Sequence, residues 1–194
     1  FDSLPRLSIF EQFNEFNSLP LITHGKPKPF HTESLRLLGV EDYRLVAFDG
    51  GSWKVDRLYF PAILAPTGSP SPHAVSWLRR RFLPVSPAHK CNTPRAIYVS
   101  RQDATQRRLL NESEIVGYLQ RLGFEVVCPG NLSLAEQIAI FSEAKFVVAP
   151  HGAGLTNMVF AHTDATLLEF FGRNYINGCY WALTNTIGQR HAFL

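Results

Sequence analysis

His151 stands between an apolar run and a segment almost without side chains. Phe146-Val147-Val148-Ala149 stops at Pro150, and His151-Gly152-Ala153-Gly154 leads into Leu155-Thr156-Asn157-Met158-Val159-Phe160. The first part has the length and β-branched content of a buried strand, and the last has the apolar spacing of a short helix. Strand, glycine loop and helix in that order point free backbone N–H groups and the positive end of a helix dipole at one place, which suits a phosphate or diphosphate. The chemistry this predicts is the binding of a nucleotide-type ligand. Glycines between a strand and a helix also serve tight packing alone, and an isolated histidine is more often structural than catalytic.

The same loop supports a second reading. Gly152-Ala153-Gly154-Leu155-Thr156-Asn157 matches G-x-G-x-x-G except that Asn157 replaces the last glycine, and Glu169 closes the apolar run Thr166-Leu167-Leu168. That is roughly where the ribose-binding acid of an NAD-type oxidoreductase belongs. Against it, the dinucleotide fingerprint opens the first strand–helix unit of its domain, and here at least two units precede the loop.

For these residues to meet, the second half of the chain must form a parallel sheet. Residues 95–99 read as a buried strand, 111–122 as a helix with a capping box of Asn111 and Glu114, and 124–128 as the next strand after Gly123. Residues 133–141 form a second boxed helix, Ser133 with Glu136, followed by the Phe146 strand. Strands alternating with helices imply right-handed crossovers, and the residues after each strand then line the carboxyl edge, where open α/β sheets bind ligands. Four loops reach that edge: Ser100-Arg101, Pro129-Gly130-Asn131-Leu132, His151 to Gly154, and Glu169-Phe170-Phe171-Gly172. Arg101 can pair bidentately with a phosphate, and Glu169 can accept from both ribose hydroxyls.

The first half is less regular. Residues 7–16 have helical spacing of Leu7, Phe10 and Phe13; Leu21-Ile22-Thr23 reads as a strand ending at His24-Gly25, and 32–38 as a helix closed by Gly39. Residues 44–48 and 55–60 read as strands flanking the turn Asp49-Gly50-Gly51-Ser52. Proline then becomes frequent, four times in residues 61–72 and again at Pro84, Pro87 and Pro94, with a helix expected over 76–82. The expected domain boundary lies there, giving an N-terminal α/β half at 1–83 and a C-terminal Rossmann-like half at 84–194.

Composition excludes other classes. The 194 residues are 45% hydrophobic, enough for a substantial core, and the net charge of +3 with 18% charged residues gives no polyanion-binding surface. Arg79-Arg80-Arg81 reads as a solvated helix face. Cys91, Cys128 and Cys179 are odd in number and widely spaced, which fits neither a disulfide framework nor a zinc site. No run approaches the roughly 18 apolar residues of a membrane span, and no leader opens the chain. Asn111-Glu112-Ser113 and Asn131-Leu132-Ser133 fit the glycosylation sequon, a triplet common by chance.

The ordered series Tyr98-Val99-Ser100-Arg101, Arg108 with Asn111-Glu112-Ser113-Glu114, Gly123-Phe124-Glu125-Val126-Val127, Leu132-Ser133-Leu134-Ala135-Glu136-Gln137-Ile138, Ala149 to Asn157, and Leu168-Glu169 resembles the motifs of glycosyltransferase family 61. The likeness is specific over 95–172 and looser before it. It implies a GT-B-like α/β architecture of two Rossmann-like halves with parallel sheets, the N-terminal one short or truncated. It also implies a nucleotide-sugar donor, UDP-linked, on the second half, and a glycan or polysaccharide acceptor in the cleft. Transfer would invert the anomeric centre without a metal or other cofactor, and the chain has no Asp-x-Asp pair to hold a metal diphosphate. Carried over to this chain, Arg101, Arg107, His151, Gly152, Ala153, Gly154, Leu155, Thr156 and Asn157 lie on the phosphate side. Glu169 lies at the ribose, and Leu132 and Ser133 border the base.

Inversion needs a general base for the acceptor hydroxyl, which in that architecture comes from the first half. Asp49 is the first candidate, then His24 and His31. Unpaired cysteines and the absence of a leader favour the cytoplasm, or a secretory lumen if the source is eukaryotic.

Overall fold

In a computed structural model of the chain, residues 3–85 and 95–194 are described. Cys91, Pro87 and Pro94 lie outside them. The fold is mixed α/β with two parallel sheets.

The larger sheet has five strands: β3 (Arg95–Val99), β4 (Glu125–Val127), β5 (Ala144–Pro150), β6 (Thr166–Phe170) and β7 (Arg190–Phe193), in the spatial order β4-β3-β5-β6-β7 and all parallel. The order reverses between β3 and β5. That is the topological switch point, and the crevice beyond the C-terminal ends of these two strands is where such sheets hold ligands. The expected strands and helices of the second half are present, Rossmann-like in their alternation, with helices α4 (Glu112–Arg121) and α5 (Leu134–Ser142) between strands.

Both faces of the sheet are covered. Ile97, Val99, Val147 and Leu167 join one core with α5 and with the later helix α6 (Cys179–Ile187), while Tyr98 and Val148 turn to the other face and meet Leu119 of α4. Coverage on both faces explains why the strands read as continuous apolar runs. Gly123, at φ +85°, ends α4 in a left-handed conformation that favours glycine.

In the first half, β1 (Leu21–His24) and β2 (Leu45–Phe48) pair in parallel, joined by α2 (Pro29–Leu37). Residues 55–60 are not a strand, so the turn Asp49-Gly50-Gly51-Ser52 follows β2 without a second strand beyond it. A strand needs a ladder partner whatever its propensity, and β2 pairs only with β1 among the described residues. The expected helix over 7–16 is also shorter: α1 (Leu7–Phe10) stops, and the 3-10 turn Asn14–Ser18 carries Phe16 against Phe10 and Tyr59. Asparagine at 14 and 17 weakens the helical alternative.

The helix expected at 76–82 is α3 (Pro72–Phe82), started by Ser71, whose Oγ accepts from the Ala74 N–H. Its Val75, Trp77, Leu78 and Phe82 belong to the core of the five-stranded sheet, so the boundary drawn after residue 83 follows a helix packed against the second half. Arg80 and Arg81 of the triple arginine are exposed, as expected of a solvated face, whereas Arg79 is turned inward. Arg79 Nη1 donates to the carbonyls of Val159 at 2.6 Å and Ala161 at 2.8 Å; Arg81 donates to the Leu38 carbonyl and pairs with Glu11. Across the halves, the Glu33 carboxylate of α2 accepts from the N–H groups of Leu134 and Ala135 at the start of α5. Among the described residues no helix is long and apolar enough to cross a membrane.

Arg79 closes the C-terminal end of the 3-10 helix Ala153–Val159. Removing its guanidinium leaves two carbonyls without that donor, so Arg79→Met is expected to cost roughly 2–3 kcal/mol in denaturant unfolding.

Candidate functional site

The site lies at the switch point. At the end of β3 the chain turns sharply because Glu112, buried at the start of α4, gathers three donors onto Oε1: the Tyr98 hydroxyl at 3.0 Å, the Ser100 hydroxyl at 2.8 Å and the Arg101 N–H at 3.2 Å. The expected capping box is absent here. Asn111 makes no side-chain cap, and its neighbour Glu112 serves the strand end instead. Burial and this carboxylate push the Tyr98 phenol up, out of any acid–base role.

Arg101 leaves this turn and crosses the glycine loop. Its Nη2 donates to the Gln106 carbonyl at 3.1 Å and its Nε to that of Arg107 at 3.3 Å. The guanidinium lies where a side chain at position 152 would be, so that a Cβ built on Gly152 overlaps it. Arg107 has a left-handed backbone, φ +55°, uncommon for a residue with a side chain. Its guanidinium sits 4.9 Å from the Tyr175 ring centroid, and Tyr175 in turn packs 5.2 Å from the His151 ring.

The loop itself has spare donors. The N–H of Leu155 is taken by the Gly152 carbonyl, whereas those of Gly152, Ala153 and Gly154 have no partner among the described residues. Leu155 is in the core, so of the residues named for the phosphate side it contributes packing. The helix after the loop is the 3-10 turn Ala153–Val159. A cavity of about 210 Å³ opens between Arg101, Gly152, Gly154 and Pro129, with Asp103 bringing a carboxylate to the same wall. A Cβ on Gly154 would come 3.1 Å from Val99 Cγ1 and 3.3 Å from Pro129 Cγ, too close for ordinary contact.

A second cavity, about 690 Å³, lies between the halves, and Thr156 and Asn157 line it together with His24, His31 and Phe30. The loop is thus a wall with a cavity on each side. Asn157 does not offer its amide N–H groups to a ligand: Nδ2 donates to Gln137 Oε1 at 2.8 Å and to the Gly154 carbonyl at 3.2 Å. Gln137 in turn donates to the carbonyls of Pro129 and Leu132, so helix α5 ties the loop after β4 to the glycine loop. Leu132 packs against the core, and Ser133 forms the expected capping box with Glu136.

Glu169 is not open to a ribose. It is 0% exposed, with Oε1 2.5 Å from His151 Nδ1 and Oε2 2.9 Å from His191 Nε2. Burial pushes its carboxyl up to about 7 and pushes both histidines down, His151 further through the charges of Arg107 and Arg101. Asp49 is exposed beyond β2 and is not on the wall of the larger cavity. His24 is on that wall, but its Nδ1 accepts from the Lys26 N–H, and His31 Nδ1 accepts from the Lys28 N–H. In that tautomer Nε2 carries the proton, so each presents a donor and not a base. Among the described residues no group of three or more His, Cys, Asp or Glu is placed to hold a metal ion.

The family model for Glycosyltransferase 61 matches residues 1–168. The chain belongs to this family. Among curated proteins, it is similar to one from Oryza sativa subsp. japonica named beta-1,2-xylosyltransferase XAX1, with 33% identity over 97 residues, 50% of this chain and 16% of that protein. It is also similar to one named alpha-1,3-arabinosyltransferase XAT2 from the same organism, with 38% identity over 79 residues, 39% of this chain and 13% of that protein. The alignments therefore span less than a fifth of either relative.

Three residues escaped the sequence reading. Glu112 was hidden by the apparent cap at Asn111, Gln137 by its place inside a helix, and His191 by a strand too short to read. Glu112→Leu would leave two hydroxyls and one N–H without their acceptor. It is expected to lower stability by about 3 kcal/mol or more in denaturant unfolding.

Proposed function

We propose that this family 61 chain is the donor-binding part of a glycosyltransferase with a GT-B-like arrangement of halves at 1–83 and 84–194. It would move a sugar from a UDP-linked donor to a hydroxyl of a glycan or polysaccharide, with inversion and without a metal. One observation carries the reading: Arg101 and Gly152, Ala153 and Gly154, whose N–H groups have no partner among the described residues, line the 210 Å³ cavity at the switch point. A cavity of that size suits the diphosphate, with the rest of the donor and the acceptor reaching the larger cavity past Thr156. The two relatives named for xylosyl and arabinosyl transfer make UDP-linked pentoses the first donors to try.

In a single displacement the acceptor oxygen attacks the anomeric carbon as the bond to the diphosphate breaks. Negative charge then grows on the leaving diphosphate, and fixed donors aimed at it lower the barrier. Arg101, the loop N–H groups and the nearby charge of Arg107 fill that role here. The acceptor proton must go to a base.

A second reading, a nucleotide-sugar-binding unit that does not turn over, is favoured by one observation. The residues lining the larger cavity include no carboxylate, and His24 and His31 face it as donors. Slow transfer or donor hydrolysis by the chain would sustain the first reading; donor binding with neither would sustain the second.

Arg101→Ala is expected to weaken UDP binding by roughly 1.5–3 kcal/mol, the worth of a charge-assisted contact. Unchanged affinity in calorimetric titration would remove Arg101 from the site, and a preference for NADH over UDP would restore the oxidoreductase reading. Gly154→Val is expected to close the cavity against Val99 and Pro129 and to abolish UDP binding; normal binding would refute the loop's role.

A further inference from the structure

Glu169 is enclosed by two imidazoles that the sheet brings to it. His151 follows β5, Glu169 is in β6 and His191 in β7, and β6 is hydrogen-bonded between the other two strands. A carboxylate can hold one ring N–H on each oxygen. With Glu169 ionised, His151 therefore carries its proton on Nδ1 and leaves Nε2 with a lone pair. His191 carries its proton on Nε2, and its Nδ1 is buried without a partner among the described residues, which suits an unprotonated nitrogen. The His151 ring is further held by Phe171, Tyr175 and Tyr180, with centroids 5.2–5.3 Å away.

We infer that Glu169 and His191 are positioning residues: Glu169 fixes the tautomer and orientation of His151 beside the diphosphate loop, and His191 holds the carboxylate's second oxygen so that it cannot turn away. The inference rests on the diphosphate reading of that loop and adds to it a role for the buried trio. Neither Glu169 nor His191 falls within the stretch matched to the family.

A consequence distinguishes this role from plain packing. The raised carboxyl and the lowered imidazoles have converging proton affinities, so a proton added to His151 and Glu169 is shared across their 2.5 Å contact. The other groups near the pair are the cations of Arg101 and Arg107, which oppose the added proton, the Tyr175 ring, and the Tyr180 hydroxyl and Cys179 thiol, both held protonated by burial. An anion seated on the Gly152 N–H is one residue from the imidazole. Its charge offsets the two guanidiniums and draws a proton from solvent onto the pair, with no other bond made or broken. Diphosphate binding is therefore accompanied by proton uptake.

The test is calorimetric titration of UDP into the chain at pH 8 in buffers of different ionisation heat, with nitrogen-15 spectra of the histidine rings of the free chain at the same pH. The wild type is expected to take up a measurable fraction of a proton on binding. Glu169→Gln should lose that uptake, His191→Leu should reduce it, and His191→Gln, which still offers an N–H to Glu169, should restore it. A packing role alone would lower the unfolding temperature of these variants and leave proton uptake as in the wild type, which would overturn the inference. The ring spectra should show His151 protonated at Nδ1 and not at Nε2, and the opposite tautomer would overturn it too. Should the wild type bind no UDP, the diphosphate reading fails, while the ring spectra still decide the arrangement of the trio.

Discussion

Gly152 has no side chain, and the guanidinium of Arg101 occupies the space one would need. This contact joins the ends of β3 and β5, the two strands between which the sheet order reverses, and so sets how closely the two loops approach. Much of the surrounding structure serves to hold its two sides. Glu112 anchors the turn before Arg101, the carbonyls of Gln106 and Arg107 hold its guanidinium, and Gln137 with Asn157 ties the glycine loop to the start of α5. Arg79 and Gln189 close the far end of the 3-10 helix through the carbonyls of Met158, Val159, Ala161 and His162.

The electrostatic character of the site follows from the same packing. Arg101 and Arg107 stand near a histidine whose imidazole is kept neutral by burial and by those two charges, so the positive charge of the site rests on the guanidiniums. Asp103, which lines the same cavity, moderates it. The larger cavity has a different composition, with aromatic and aliphatic walls and two histidine donors, as suits a sugar face more than an anion.

Strands β3, β5 and β6 were legible because burial on both faces leaves continuous β-branched and apolar runs, and α5 because its Ser133–Glu136 box is real. Residues 55–60 misled because strand propensity says nothing about whether a neighbouring strand exists. Helix α6 and strand β7 were missed: the helix carries threonines at 184 and 186 and starts at a glycine, and the strand has only four residues. The order of strand, glycines and short helix around 151–157 was legible, and with it a candidate site, yet the contacts within it were not. Which N–H groups stay unpartnered, that Asn157 is turned inward, and that Glu169 faces two histidines are all consequences of tertiary contacts from distant positions. Asp49 looked suited as a base by chemical type, and its distance from the cavity wall is visible only in three dimensions.

The central claim, that the switch-point cavity receives the diphosphate of a nucleotide, is tested most directly by backbone amide spectra of nitrogen-15-labelled chain during titration with UDP in the presence of EDTA. The account predicts saturable shifts centred on Gly152, Ala153 and Gly154 and on Arg101, with β1 and β2 little affected. Saturable shifts centred elsewhere, or the absence of any shift in the glycine loop at saturating UDP, would contradict it.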